Sequence, residues 1–143
     1  MTRTERKARH EAGFTLLEML VVLAIMGLLA AIVAPQVMKY VGTSKTQTAK
    51  VQVQNITSAL ELYRLDVGRY PSTDEGLSSL VTAPSTAPGW NGPYLKKASA
   101  LKDPWDQPYI YRNPGQHSEV DVLSLGSDKA EGGAGEAADV GNW

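Results

Sequence analysis

The chain has no cysteine, one phenylalanine and two histidines among its 143 residues. Without cysteine it can form neither a disulfide nor a thiolate metal site. No glycine-rich phosphate-binding motif is present, and no pairing of a nucleophile with a base stands out by its spacing. A net charge of −1 leaves no basic patch of the size that nucleic-acid binding needs. We therefore predict that the chain is neither an enzyme nor a nucleic-acid-binding protein.

The most distinctive stretch is an apolar run over residues 14–34, in which Glu18 is the one charged side chain. A helix rises about 1.5 Å per residue, so a run of this length reaches the roughly 30 Å of a bilayer's hydrocarbon core. The rest of the chain is too short to bury such a helix on all sides. The sequence therefore predicts a transmembrane helix over residues 14–35.

Glu18 is unexpected in this run, because a carboxylate in hydrocarbon costs about 2.5–3.5 kcal/mol or more. Either it lies near the headgroups and reaches water, or it pairs with a cation. Cleavage between Gly13 and Phe14 would give Phe14 a free α-ammonium four residues before Glu18. Such a pair could form within one helix or between neighbouring subunits, and only the second would draw copies of the helix together.

Residues 7–20, KARHEAGFTLLEML, resemble the class III signal peptide of type IV pilins and type II secretion pseudopilins. Gly13, Phe14 and Glu18 all match that motif. The resemblance implies that a prepilin peptidase removes the basic leader, residues 1–13, and that Phe14 is then N-methylated. It also implies that Glu18 aligns subunits in a helical filament. A secretory signal peptide differs, because its cleavage site follows the apolar region.

The leader is rich in basic residues, which favour retention of this end in the cytoplasm. The C-terminal bulk is therefore predicted to lie outside the cytoplasm. For a pseudopilin-like chain, this means a single-pass inner-membrane protein with a periplasmic head. The basic residues are Arg3, Arg6, Lys7 and Arg9.

Beyond Pro35, residues 36–67 carry apolar side chains at helical spacing, which indicates an amphipathic helix with one buried face. We expect one long helix, kinked at Pro35 and loosened at Gly42, with two separate helices as the alternative. The apolar positions are Ala49, Val53, Ile56, Leu60, Tyr63 and Val67.

Residues 68–143 are predicted to form a globular head. Gly68 and Pro71 end the helix, and a short helix is expected within residues 72–81, followed by a breaker-rich loop over 82–94. Residues 109–112 and 120–125 are strand candidates on either side of an Asn-Pro-Gly turn. The predicted fold is α+β and type IV pilin-like, with a small antiparallel sheet of two or three strands on the helix face at 49–67.

The turn Asp103-Pro104-Trp105-Asp106 is interpreted first as structural, with the Trp105 ring buried in the head. This turn belongs to a set of stretches that resemble the major pseudopilin of type II secretion more than other pilins. The set consists of residues 65–71, 73–77, 103–106, 113–115, 121–126 and 139–143. Twitching pilins usually carry a C-terminal cysteine pair, which this chain lacks.

This second resemblance implies the major structural subunit of a periplasmic pseudopilus, a helical homopolymer that drives folded proteins through an outer-membrane secretin. The implied partners are prepilin peptidase, minor pseudopilins and an inner-membrane assembly platform. Two alternatives remain open: a competence-type or minor pseudopilin, or a membrane anchor with a periplasmic binding head that does not polymerise.

The glycine-rich, acidic tract of residues 126–143 is a candidate calcium loop. From the residues alone a solvated acidic loop is favoured, since the EF-hand pattern is absent, although calcium does accept irregular oxygen-rich loops. The resemblance implies one structural calcium ion held by Asp128, Asp139 and the carbonyl of Leu125. Some relatives have two adjacent acids where this chain has Ala138-Asp139, so Glu136 is a weaker further candidate.

Overall fold

The computed structural model describes residues 13–143, in two units: one ends at Met38 and the other is Lys39–Trp143. A single long helix, α1, is followed by a head of short elements. The helix is Leu16–Val67, and the strands are β1 Ile110–Arg112, β2 Asp121–Ser124 and β3 Val140–Gly141. Three short 3-10 helices lie at Leu77–Leu80, Ala98–Leu101 and Gly135–Ala137.

Helix α1 runs for 52 residues and includes Pro35. The prediction of one long helix is confirmed, and the alternative of two separate helices is wrong. Proline removes a single backbone donor, and the apolar and amphipathic segments on its two sides both favour helix. The helix ends where Gly68 takes a positive φ of 84° and its N–H donates to the Arg64 carbonyl at 2.8 Å, as is common at helix C-termini.

The head's core forms between one face of α1 and the sheet. The side chains of Ala49, Val53, Ile56, Leu60 and Tyr63 are all at most 1% exposed, as the apolar spacing predicted. Across from them lie the buried residues Tyr109, Val120, Val122 and Val140.

The sheet has three antiparallel strands in the order β1-β2-β3. Ile110 pairs with Leu123 in the first ladder, and Leu123 pairs with Gly141 in the second. The predicted antiparallel sheet is confirmed, although both predicted strands are shorter than expected. The outer residues Tyr109, Val120 and Leu125 fall outside the ladders.

The predicted short helix within residues 72–81 is reduced to a turn and a 3-10 helix at Leu77–Leu80. Ser72 and Glu75 bond reciprocally: the Ser72 N–H donates to Glu75 Oε2 at 2.6 Å, and the Glu75 N–H donates to Ser72 Oγ at 3.2 Å. Leu77 and Leu80 are buried as expected.

The turn that begins at Asp103 is structural, as predicted. Asp103 Oδ1 accepts the N–H groups of Trp105 at 3.0 Å and Gln107 at 2.8 Å, and its other oxygen bonds the Ser124 hydroxyl. Trp105 packs against the core but is only half-buried.

Candidate functional site

The step between Gly13 and Phe14 lies just before the first residue of α1. A Cβ added at Gly13 would meet nothing within 4 Å, and the Phe14 side chain is 75% exposed. Within the part of the chain that the structure describes, nothing covers these two residues at the predicted cleavage site. The rest of the predicted leader, residues 1–12, lies outside the described residues.

Thr15 caps α1, and the sequence reasoning missed this role. Its Oγ1 accepts the N–H of Glu18 at 3.2 Å, and its carbonyl accepts the N–H of Met19 at 3.1 Å. The available signal was the spacing Thr-x-x-Glu, which is typical of a capping box.

Glu18 therefore lies in the first turn of α1. A negative charge there is favourable, because the unpaired N–H groups at a helix N-terminus carry partial positive charge. This favourable setting is intrinsic to one chain and needs no second subunit. Any pairing with Phe14 of another copy would add to it.

The N-terminal half of α1 is apolar and uncovered. Within this helix the most hydrophobic 18-residue window has a mean hydropathy of 2.8, with none of it buried, and it is long enough to cross a membrane. Exposed apolar surface on this scale marks a membrane-spanning or partner-binding segment. Large side chains from Leu16 to Val41 are between 41% and 86% exposed.

The acidic loop folds on itself through its backbone. The N–H of Ser127 donates to the Glu136 carbonyl at 2.9 Å, closing the loop. Gly126 is required at this closure: its φ is 69°, and a Cβ would lie 2.6 Å from the Glu136 carbonyl oxygen. An ion pair of 2.7 Å between Glu131 and Arg112 fastens the loop to β1.

The two main predicted calcium ligands lie in this loop in different settings. Asp128 is exposed, and its Oδ1 accepts the Ala130 N–H at 3.2 Å. Asp139 Oδ2 accepts the Gly132 N–H at 3.0 Å, whereas Asp139 Oδ1 is buried and has no hydrogen-bond partner among residues 13–143. A buried carboxylate oxygen without a donor is costly, and a bound cation would satisfy it.

Glu136 contacts α1. Its carboxylate lies against Gly42, where an added Cβ would fall 1.5 Å from Glu136 Oε1. Gly42, which was predicted to loosen the helix, leaves room for this side chain. Within residues 13–143, no three acidic or histidine side chains are grouped so that they could hold a metal. A calcium ion in this loop would therefore depend on backbone carbonyls, such as the predicted one of Leu125.

The buried carboxylate of Asp121 organises the turn before β2. It accepts N–H groups from Gln116, His117 and Ser118 at 2.7 to 3.3 Å. Burial alone would raise the pKa of Asp121, but these N–H donors together hold it below its usual value. His117 lies 3.2 Å from Asp121 and stacks on Trp143 at 3.9 Å. These two contacts give His117 a structural role.

Two family profiles together cover nearly the whole chain. Residues 36–143 match "Type II secretion system (T2SS), protein G", and residues 8–34 match "Prokaryotic N-terminal methylation motif". The second match spans the Gly13-Phe14 step and Glu18.

Curated relatives match over nearly their full length. The chain is 46% identical over 139 residues to the type II secretion system core protein G of Pseudomonas aeruginosa, covering 94% of this chain and 96% of the relative. It is 42% identical over 141 residues to the protein of the same name from Vibrio cholerae, covering 96% and 95%.

A solved structure also matches. The crystal structure of the major pseudopilin from the type 2 secretion system of enterohaemorrhagic Escherichia coli is 32% identical to this chain, with a TM-score of 0.62. The match covers 74% of this chain and 92% of that one.

Proposed function

This chain belongs to the type II secretion system protein G family, and we propose that it assembles through α1 with copies of itself into a pseudopilus. Its function is that of the major pseudopilin, the principal structural subunit of that system. The observation that carries the assembly mechanism is the apolar half of α1, whose large side chains are exposed and which has Glu18 as its one charge. Out of the membrane, such a helix needs other helices around it. The family is one of structural subunits, and we assign the chain no catalytic activity.

Assembly begins with processing. A prepilin peptidase cuts after Gly13 and methylates the new amine of Phe14, an exposed residue that lies outside the helix. The amine keeps its positive charge at neutral pH. Each mature subunit then carries one cation at its first residue and one anion four residues later.

Glu18 pairs with the Phe14 amine of the neighbouring subunit during assembly. In hydrocarbon an unpaired carboxylate and an unpaired ammonium are both costly, so the pair forms at the one axial offset that satisfies both. The apolar helices then bury one another around this pair. This offset gives the filament its register.

Replacement of Glu18 tests this step. Glu18→Ala should abolish filaments seen by electron microscopy, while membrane insertion of the chain stays intact. Thr15→Val is the matched control, because it removes the cap hydroxyl from Glu18 and leaves the carboxylate. Filaments formed normally by Glu18→Ala, or lost equally in Thr15→Val, would show that the charge pair is not what drives assembly.

The subunit is held in the inner membrane by residues 14–35, with the head in the periplasm. The exposed apolar helix and the methylation motif support this location. From there an assembly platform extracts it, with minor pseudopilins as partners. The growing filament acts on folded proteins on their way to the secretin.

A structural calcium ion in the acidic loop stabilises the head. Asp128 and Asp139 would hold it with the Leu125 carbonyl, and the unpartnered buried Oδ1 of Asp139 supports this choice. The ion would supply positive charge where the loop gathers acidic groups. Glu136 contributes less, because its carboxylate lies on Gly42.

A further inference from the structure

A polar cleft lies between α1 and the 3-10 helix of the acidic loop, within the unit Lys39–Trp143. Its volume is about 370 Å³, which falls in the range of small-molecule sites and equals roughly a dozen water molecules at their share of liquid volume. We call it the Lys39 cleft. The residues that line it are Lys39, Thr43, Thr46, Gln47, Gly135 and Glu136.

The Lys39 cleft contains one cationic and one anionic side chain, and they do not neutralise each other. Lys39 belongs to α1 and Glu136 to the loop, and both residues are exposed. Among the ion pairs formed within residues 13–143, none includes either side chain. A ligand that carries both a negative and a positive charge would therefore give each of them a partner.

The other polar groups of the cleft suit the same kind of ligand. The hydroxyls of Thr43 and Thr46 each donate to the carbonyl four residues earlier, at 3.0 and 3.2 Å, so their oxygens remain as acceptors. The side-chain amide of Gln47 can donate. An anion is therefore served by Lys39 and Gln47, and a cation by Glu136 and the hydroxyl oxygens.

The cleft begins at the depth of lipid headgroups. The predicted membrane span ends at residue 35, and the four further residues of α1 that lead to Lys39 extend about 6 Å. The polar layer of one leaflet is about 5–7 Å thick. The next residue, Tyr40, is 77% exposed, and tyrosine is enriched at this level of a membrane. Lys39 can therefore meet the phosphate of a phospholipid.

We propose that the Lys39 cleft binds the zwitterionic headgroup of an ethanolamine phospholipid. The phosphate pairs with Lys39, and the ammonium at the other end of the short headgroup donates to the Glu136 carboxylate. A glycerol headgroup would leave Glu136 without a cation, and a choline headgroup would offer it a charge but no N–H donor. This inference rests on the proposed location of the subunit in the inner membrane.

Lipid retention tests the ligand. The full chain is reconstituted in vesicles of equal parts phosphatidylethanolamine, phosphatidylcholine and phosphatidylglycerol with identical acyl chains. It is then released in mild detergent at one fixed calcium concentration, and bound lipid is measured by native mass spectrometry. We expect the ethanolamine lipid to be retained at least about tenfold more than the choline lipid, the ratio that one charge-assisted hydrogen bond gives. Equal retention, or preference for either other lipid, would overturn the proposal.

Three glutamine variants locate the binding site. Lys39→Gln and Glu136→Gln should each remove the preference for the ethanolamine lipid. Lys45→Gln is the matched control, because it removes the same charge from the same segment of α1 at a residue that does not line the cleft. All three should melt at the wild-type temperature. A preference that survives Lys39→Gln, or that Lys45→Gln lowers equally, would show that the lipid is not held in the Lys39 cleft.

The same vesicles separate this inference from the proposed function. A wild-type chain that an alkaline wash strips from the vesicles would not span the membrane, and it would contradict both the proposed location and the inference. A chain that resists the wash but shows no preference for the ethanolamine lipid would contradict the inference alone.

Discussion

The two oxygens of the Asp139 carboxylate have different surroundings. Oδ2 accepts a backbone N–H, while the buried Oδ1 has no donor among the residues described. A negative oxygen buried in this way costs free energy of folding. A calcium ion at Oδ1 would remove that cost, and the effect can be measured.

Removal of calcium should destabilise the head. Chelation should lower the melting temperature of the detergent-solubilised chain by at least about 5 °C, since a ligand at about 100 times its Kd contributes about 2.7 kcal/mol. Asp139→Ala and Asp128→Ala should each lose this sensitivity. Glu131→Ala is the control, because its carboxylate is in the same loop but pairs with Arg112. A wild-type melting curve that chelation leaves unchanged would rule out the site.

The carboxylate of Glu75 accepts four hydrogen bonds. The donors are two guanidinium nitrogens of Arg69, at 2.6 and 2.8 Å, the Ser72 N–H and the Thr86 hydroxyl. The Arg69 guanidinium, more than any other group, holds the pKa of Glu75 far below its usual 4.5. As the pH falls, the unfolded chain therefore binds a proton at Glu75 at a higher pH than the folded chain does.

The stability that Glu75 contributes is fully present above about pH 4.5 and is lost as the pH falls below it. Glu75→Gln should therefore be clearly less stable than wild type in urea unfolding at pH 7. The difference should shrink steadily as the pH is lowered towards 3. A difference in stability that stays constant over this pH range would show that the ionised Glu75 carboxylate does not stabilise the folded head.

At the scale of elements, the 3-10 helix Gly135–Ala137 contacts α1 through the Glu136 side chain. The Glu136 carboxylate occupies the space that a side chain at position 42 would need. Glycine inside a helix costs roughly 0.5–1 kcal/mol relative to alanine. The contact with Glu136 offsets part of that cost.

A double-mutant cycle tests this coupling. Gly42→Ala should stabilise α1 by about 0.5–1 kcal/mol in a Glu136→Ala background, where nothing opposes the new methyl group. In the wild-type background the gain should be smaller or absent, because the Glu136 side chain must move. Equal effects in the two backgrounds, measured by chemical unfolding, would mean that the contact carries no energy.

The long elements were predictable from the sequence, and the short ones were less so. The spacing from Ala49 to Tyr63 predicted the buried face because a helix repeats that spacing over several turns. Strand β3 has only two residues, too few for a period, and it exists because β2 offers it a free edge. Ser72 and Glu75 bond each other as in a capping box, but the positive φ of 58° at Gly76 interrupts the predicted helix and leaves a turn before the 3-10 helix Leu77–Leu80.

The residues of the candidate site also differ in how far the sequence could predict them. Gly13, Phe14 and Glu18 lie within one short motif, residues 13–18, so the sequence alone was enough to propose them. The environment of Asp139 and the position of Glu136 on Gly42 depend on how a glycine-rich loop closes against a helix 94 residues earlier in the chain. No local sequence pattern predicts such a contact. The proposed metal ligands therefore remain predictions.

At the scale of the whole molecule, the chain joins a head with its own core to a helix half that has none. The head buries Tyr63, Leu60 and Val122 completely, while the large side chains from Leu16 to Val41 stay exposed. This imbalance is stable only in a membrane or among other copies. In the proposed assembly, processing at Gly13 would link these two environments, because it would create the cation that pairs with Glu18.

The most direct test of this account is the intact mass and N-terminal sequence of subunits taken from assembled filaments. We predict a chain that begins at N-methylated Phe14, with residues 1–13 removed. Filaments built from chains that begin at Met1 would contain no free Phe14 amine, and they would contradict the pairing on which the proposed assembly depends.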